Sequence, residues 1–198
     1  MNYLKLNALK ELNEKIFNKG SIFKSEIRFS KNLMMGVFDG DNVLFISQNP
    51  GMPVFSKDGL DRMQYEEMDF DSVQENYKIA FYSCKLGLYV ISLAAHALNY
   101  SINDVSFTNV VKYSTINNQC PEKKHLLSFK KILFEQIKIL KPKCIIALGS
   151  YAHSALQDWN PYYIAHPASH RYSTSQLKLD IKIIKEIINE NILCSSNK

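Results

Sequence analysis

Apolar residues return along this chain in two periods, and the alternation between them lays out the fold. Leu4, Leu6, Leu9, Leu12 and Ile16 recur at helical spacing, so residues 3–18 predict an amphipathic helix closed by Lys19-Gly20. Residues 21–40 are mixed, with Gly36 and the Asp39-Gly40 pair marking turns. Val43 to Ile46 is a short apolar run of strand character that breaks abruptly into Ser47-Gln48-Asn49-Pro50-Gly51. Residues 52–76 are polar and acidic and read as a long loop or short helices over that strand end. Residues 80–98 are apolar nearly all round and predict one buried helix. Val105 to Val111 is a second strand, and residues 122–140 form an amphipathic helix stopped by Pro142. Cys144 to Leu148 is wholly apolar, as a central parallel strand is. Tyr162 to Ala165 makes a fourth short strand, and residues 175–189 a closing helix. Strands alternating with helices predict a three-layer α/β/α sandwich around a mostly parallel four-stranded sheet. The whole, 1–198, reads as one domain with a polar insertion at 52–76.

Composition changes this picture little. A chain of 198 residues, 46% hydrophobic and 22% charged, is long enough for a full core and ordinary for a globular protein. No apolar run approaches the roughly 20 residues that span a bilayer. The opening, Met1 to Lys15, is too charged for a signal peptide. The expectation is a cytoplasmic monomer with no membrane partner. A net charge of +5 permits a polyanion partner without requiring one. Cys84, Cys120, Cys144 and Cys194 are scattered with no C-x-x-C pair, which fits a reducing compartment and argues against a metal site.

The candidate chemistry gathers at the carboxyl ends of strands, where open α/β sheets place ligands. Three such ends carry polar clusters: Gln48-Asn49-Pro50-Gly51, Thr108-Asn109-Val110-Val111-Lys112 and His166-Pro167-Ala168-Ser169-His170-Arg171. With these, the chain resembles the uracil-DNA glycosylase superfamily, especially its family-four branch. Ser47 to Gly51 stands where that branch has a Gly-Glu-Ala-Pro-Gly motif, and Thr108 to Lys112 match its Thr-Asn-Val-Val-Lys strand end. Lys141 to Gly149 match its Lys-Pro-Lys-x-Ile-Ile-Ala-Leu-Gly strand, and His166 to Ser169 its His-Pro motif. The order is that of the family, over roughly residues 5–188.

The departures are equally specific. The family-four branch holds an iron–sulfur cluster on four cysteines. Here Asn18, Ser21, Tyr113 and the region of Ser128 occupy those places, so no cluster and no other cofactor is expected. The first motif also lacks a Glu, and Gln48-Asn49-Pro50-Gly51 is closer to the Asn-Pro-Gly of the mismatch-specific and single-strand-selective branches.

The resemblance implies roles. His166 is expected to donate a hydrogen bond to the base O2, where negative charge gathers as the base departs. Asn109 is expected to read the base edge: its amide matches the O4 and N3–H of uracil and, turned over, a cytosine edge. Asn49 is expected to position the attacking water, with Gln48 donating hydrogen bonds nearby. Gly51 stands where uracil-specific enzymes carry a Tyr that blocks substituents at C5, so that filter is absent. Phe81, or else Phe55, is the candidate to stack on the flipped base, and either is as readily a core aromatic. Ser169, His170 and Arg171 suit contact with phosphate or wedging into double- or single-stranded DNA, with Lys112 and the Lys123-Lys124-His125 cluster as further phosphate contacts. The implied activity is that of a monofunctional DNA glycosylase for uracil or a C5-modified pyrimidine. Two alternatives stay open: a defence enzyme removing a bulky hypermodified cytosine, and an inactive DNA-binding module of the same fold.

Overall fold

The computed structural model describes residues 3–26, 36–50, 69–115 and 119–195, with side chains up to 187. In chain order come α1 (Tyr3–Ser21), β1 (Gly36–Phe38), β2 (Val43–Ser47), α2 (Phe70–Ser83), α3 (Lys85–Leu98) and β3 (Val105–Asn109). Then follow α4 (Lys123–Leu140), β4 (Cys144–Leu148), the short α5 (Ser150–Ala155), β5 (Tyr162–Ile164) and α6 (Thr174–Ser195). The sheet order is β1-β3-β2-β4-β5. β2, β3, β4 and β5 run parallel, and β1 pairs antiparallel with β3 from Gly36↔Thr108 to Phe38↔Ser106.

Every residue of β2 and β3 is buried, because helices cover both faces. Successive side chains on β3 point to opposite layers. Phe107 stacks on Phe81 of α2, with ring centroids 4.4 Å apart, while Thr108 on the other face bonds Gln136 of α4 at 3.0 Å. α1 packs against α4, and α3 against α6, completing the outer layers. The expected α/β/α sandwich is therefore present, with five strands among the described residues rather than four. The extra strand is β1, whose three residues are too few to show a period.

The single helix expected over 80–98 is two helices. α2 ends at Ser83 and α3 begins at Lys85, bent by 78° at Cys84. Cys84 is extended there (φ −90°, ψ 161°), and its Sγ accepts the Gly87 N–H at 3.4 Å. The chain turns so tightly there that a Cβ on Gly87 would lie 1.9 Å from the Phe81 carbonyl oxygen. The acidic stretch to residue 76, expected as a long loop or short helices, contains the first half of α2, where Asp69 accepts the Ser72 N–H at 2.9 Å as N-cap. Residues 52–68 of that stretch, with Gly51 and Phe55, lie outside the described residues. Among the described residues no single helix is long and apolar enough to cross a membrane; only α2 and α3 together reach that composition, across their bend.

Candidate active site

The parallel ladder between β2 and β3 sets Ser47 opposite Asn109 at the carboxyl edge of the sheet. The pairing continues beyond the strands: Val110 N–H donates to Ser47 O at 2.8 Å, and Val111 N–H to Gln48 O at 2.9 Å. Gln48 and Asn49 are thereby pinned beside the end of β3. Gln48 Nε2 donates to Asn49 Oδ1 at 3.1 Å, and Asn49 Nδ2 donates to Pro50 O at 3.2 Å. These bonds orient the Asn49 amide and leave its Oδ1 a second lone pair with which to accept a water proton.

His166 arrives at the same edge from β5. It is the N-cap of the 3-10 turn Pro167–His170, and its Nδ1 accepts the Ala168 N–H at 3.2 Å. A nitrogen that accepts carries no proton, so the proton of the neutral ring sits on Nε2. Nε2 lies 3.0 Å from Ser47 Oγ, which places the Nε2–H as donor toward the end of β2. Burial holds the ring's pKa below its ordinary value of 6.5, favouring this neutral donor. The close approach of β4 and β5 depends on Gly149. It has φ +91°, and a Cβ there would sit 3.1 Å from His166 Cβ. Gly149 N–H also bonds Ile164 O at 2.8 Å, tying β4's end to the strand that delivers His166.

Asn109 is 3% exposed and gripped from two sides. Its side chain hydrogen-bonds the hydroxyl of Tyr77 on α2, and its carbonyl accepts from Lys112 Nζ at 2.6 Å. Burial raises the Tyr77 pKa, so its hydroxyl stays protonated. The structure thus brings Gln48, Asn49, Asn109 and His166 to one sheet edge. It adds Ser47 and Tyr77, which sequence reading passed over. Ser47 was signalled as the polar residue ending β2 and the first of the 47–51 motif but given no role, and nothing in the pattern distinguished Tyr77 from other core aromatics.

Two expected roles are corrected. Lys112 is 0% exposed and bonded to Thr108, Asn109 and Gln136, so its charge does not reach a DNA backbone. Phe81 is 3% exposed and stacked on Phe107 one turn deeper than Tyr77, which makes it a core aromatic and not a base platform. The Lys123-Lys124-His125 cluster is partly internal too, since Lys124 pairs with Glu26 at 2.6 Å and buried His125 approaches the same carboxylate. Ser169 and Arg171 are exposed, and His170 is half-buried. Arg171 and Tyr172 both have left-handed backbones (φ 53° and 56°), so the chain turns sharply directly after the His166 loop. A cavity of about 240 Å³ lies elsewhere, between α1, β1 and the start of α2.

The donor set does not fit an iron–sulfur cluster. Ser21 donates to Asn18 O at 2.8 Å, and Tyr113 points its hydroxyl to Ile16 O at 3.4 Å. Around them Phe23, His125, Phe129 and Tyr113 pack edge to face or tilted, with centroids 4.8–6.5 Å apart. Aromatic packing joins the end of α1 to α4 here, and neutral oxygens replace thiolates. Among the described residues no three His, Cys, Asp or Glu side chains gather to hold a metal.

Comparison with known proteins agrees with this geometry. The sequence model described as "Uracil DNA glycosylase superfamily" matches residues 35–190. A protein of Pyrobaculum aerophilum named "Type-4 uracil-DNA glycosylase" is 38% identical over 69 residues, which is 35% of this chain and 35% of that protein. The match thus spans about a third of the length of that relative.

Proposed function

The chain belongs to the uracil-DNA glycosylase superfamily, and on that premise we propose that it excises uracil or a C5-modified pyrimidine from DNA. The base is flipped from the stack into the edge formed by β2, β3 and β5. Water then attacks C1′ as the glycosidic bond breaks, leaving an abasic site. The electron pair leaves with the base, and the proton released by water ends on it or in solvent. The observation that carries this reading is the neutral His166, its tautomer fixed by Ala168 and its Nε2–H directed to the strand end. A preorganised neutral donor stabilises negative charge developing on O2 without first having to lose solvent. Asn109 faces the other base edge, and Asn49 holds the water. Arg171 and Ser169 take up DNA phosphates. The protein works on DNA as a cytoplasmic monomer and without a cofactor.

A hypermodified cytosine is the second reading. Gly51 has no side chain to exclude bulk at C5. The Tyr77 hydroxyl bonded to Asn109 can donate or accept, and so tolerates either orientation of that amide. Incubation with DNA carrying uracil, thymine, hydroxymethylcytosine or glucosyl-hydroxymethylcytosine, followed by alkaline cleavage at abasic sites, tests both. Strand scission with at least one of these bases is expected. Its absence with all of them would leave an inactive DNA-binding module.

A further inference from the structure

Lys112 is charged by nature, wholly buried, and unused by the excision chemistry above. Its Nζ donates to Asn109 O at 2.6 Å, to Gln136 Oε1 at 2.6 Å and to Thr108 Oγ1 at 2.8 Å. The Thr108 hydroxyl gives its own proton to Gln136 Oε1 at 3.0 Å, so toward the lysine its oxygen acts as acceptor. The other two partners are carbonyl oxygens, which only accept. Three acceptors use three N–H groups, the full set of an ammonium and one more than a neutral amine carries. The three acceptors match the three N–H groups of an ammonium, while burial pushes the pKa of Lys112 well down. Among the described residues no carboxylate pairs with it. A buried cation without a counter-ion is costly to a fold. This one sits directly behind the residue that faces the departing base.

We propose that Lys112 is a positioning residue of the excision site. Its buried ammonium fixes the main-chain carbonyl of Asn109 and sets a standing positive charge beneath the base-reading end of β3. This rests on the reading of Asn109 as the residue that meets the base edge. A pyrimidine in the ground state carries no net charge and gains negative charge only as the glycosidic bond breaks. A fixed cation at this place favours the transition state over bound substrate. Burial keeps the same charge from the phosphates, so it acts on rate and not on DNA affinity.

Gln136→Glu isolates the charge. It preserves the acceptor at Oε1 and the lysine itself, while the new carboxylate cancels the positive charge. Lys112→Met removes the charge and the grip on Asn109 together. Single-turnover excision from the DNA substrate that the wild type cleaves is measured at saturating enzyme, alongside the half-saturating concentration and thermal melting. Each variant is expected to slow excision about 10- to 100-fold, the scale of one nearby charge in a partly polar interior. The half-saturating concentration stays at the wild-type value. Gln136→Glu melts no lower than wild type, since the new carboxylate pairs with the buried ammonium. A folded Gln136→Glu variant that excises at the wild-type rate would overturn the proposal, whatever Lys112→Met does. So would a loss confined to DNA affinity. Asn109→Ala, which removes the donor and acceptor of the amide together and so serves for either class of base, separates the two levels in the same assay. If it too excises at the wild-type rate, Asn109 does not meet the base and the functional reading falls. If it is slow while Gln136→Glu is not, only the role of Lys112 falls.

Discussion

At the scale of single residues, the protonation of His166 is the feature with the most direct consequence. Its pKa is lowered by burial, so the native ring stays neutral below pH 6.5, where the unfolded chain's histidine already takes a proton. The stability it contributes is therefore full above pH 6.5 and is lost as pH falls through the lowered native value. Excision should follow the same direction: flat through pH 6.5 and falling only at lower pH, when Nδ1 is protonated and loses the Ala168 N–H. A pH–rate profile of single-turnover excision checks this, and an acid limb centred at or above 6.5 would contradict it. Asn109→Asp tests the opposite edge of the base. The change puts a second acceptor against O4 of uracil and should abolish uracil excision, while a cytosine-type base, with its donor amine, tolerates the carboxylate; paired substrates read the difference. His166, Asn109, Gln48 and Asn49 were legible because polar residues ending apolar strands stand out. Ser47 and Tyr77 were not, since their value lies in what they touch across the sheet. Lys112 was misread for a plain reason: lysine is so seldom buried that sequence assigns it to the surface.

At the scale of elements, the site depends on how closely β4 and β5 approach, and Gly149 governs that distance. Gly149→Ala forces a Cβ into a left-handed position against His166 Cβ. The variant should lose about 1–3 kcal/mol of stability through backbone strain, measured by chemical denaturation. It should also excise more slowly, because His166 is displaced. Wild-type values of both would show that the loop absorbs the change freely. The central strands and α1, α4 and α6 were readable from periodicity alone, with boundaries shifted by a few residues. The bend between α2 and α3 was hidden because Ser83 and Lys85 are isolated polar residues in a mostly apolar stretch and no proline marks the break at Cys84. In fact α3 buries one face only, and Leu88 on the other is 54% exposed. β1 escaped notice because its pairing with β3, not its own three residues, makes it a strand.

At the scale of the whole molecule, the +5 charge and exposed Arg171 predict DNA binding that weakens steeply with salt. Each phosphate neutralised contributes a slope of about −0.9 in log affinity against log salt. Arg171→Ala should lower that slope by about one such contact, and an unchanged slope would place Arg171 off the DNA path. Aromatic packing between α1 and α4, with oxygens at the family-four cysteine positions, predicts a colourless protein; stoichiometric iron by elemental analysis would contradict it. The central claim is that three strand ends, far apart in sequence, meet as one excision site. The measurement that tests it most directly is single-turnover base release by wild type and His166→Ala, with affinity for abasic product DNA measured in parallel. The account predicts a fall of about 10²–10³ in rate, the worth of one preorganised donor, with product affinity unchanged because no base then occupies the site. Excision by His166→Ala at the wild-type rate would contradict it.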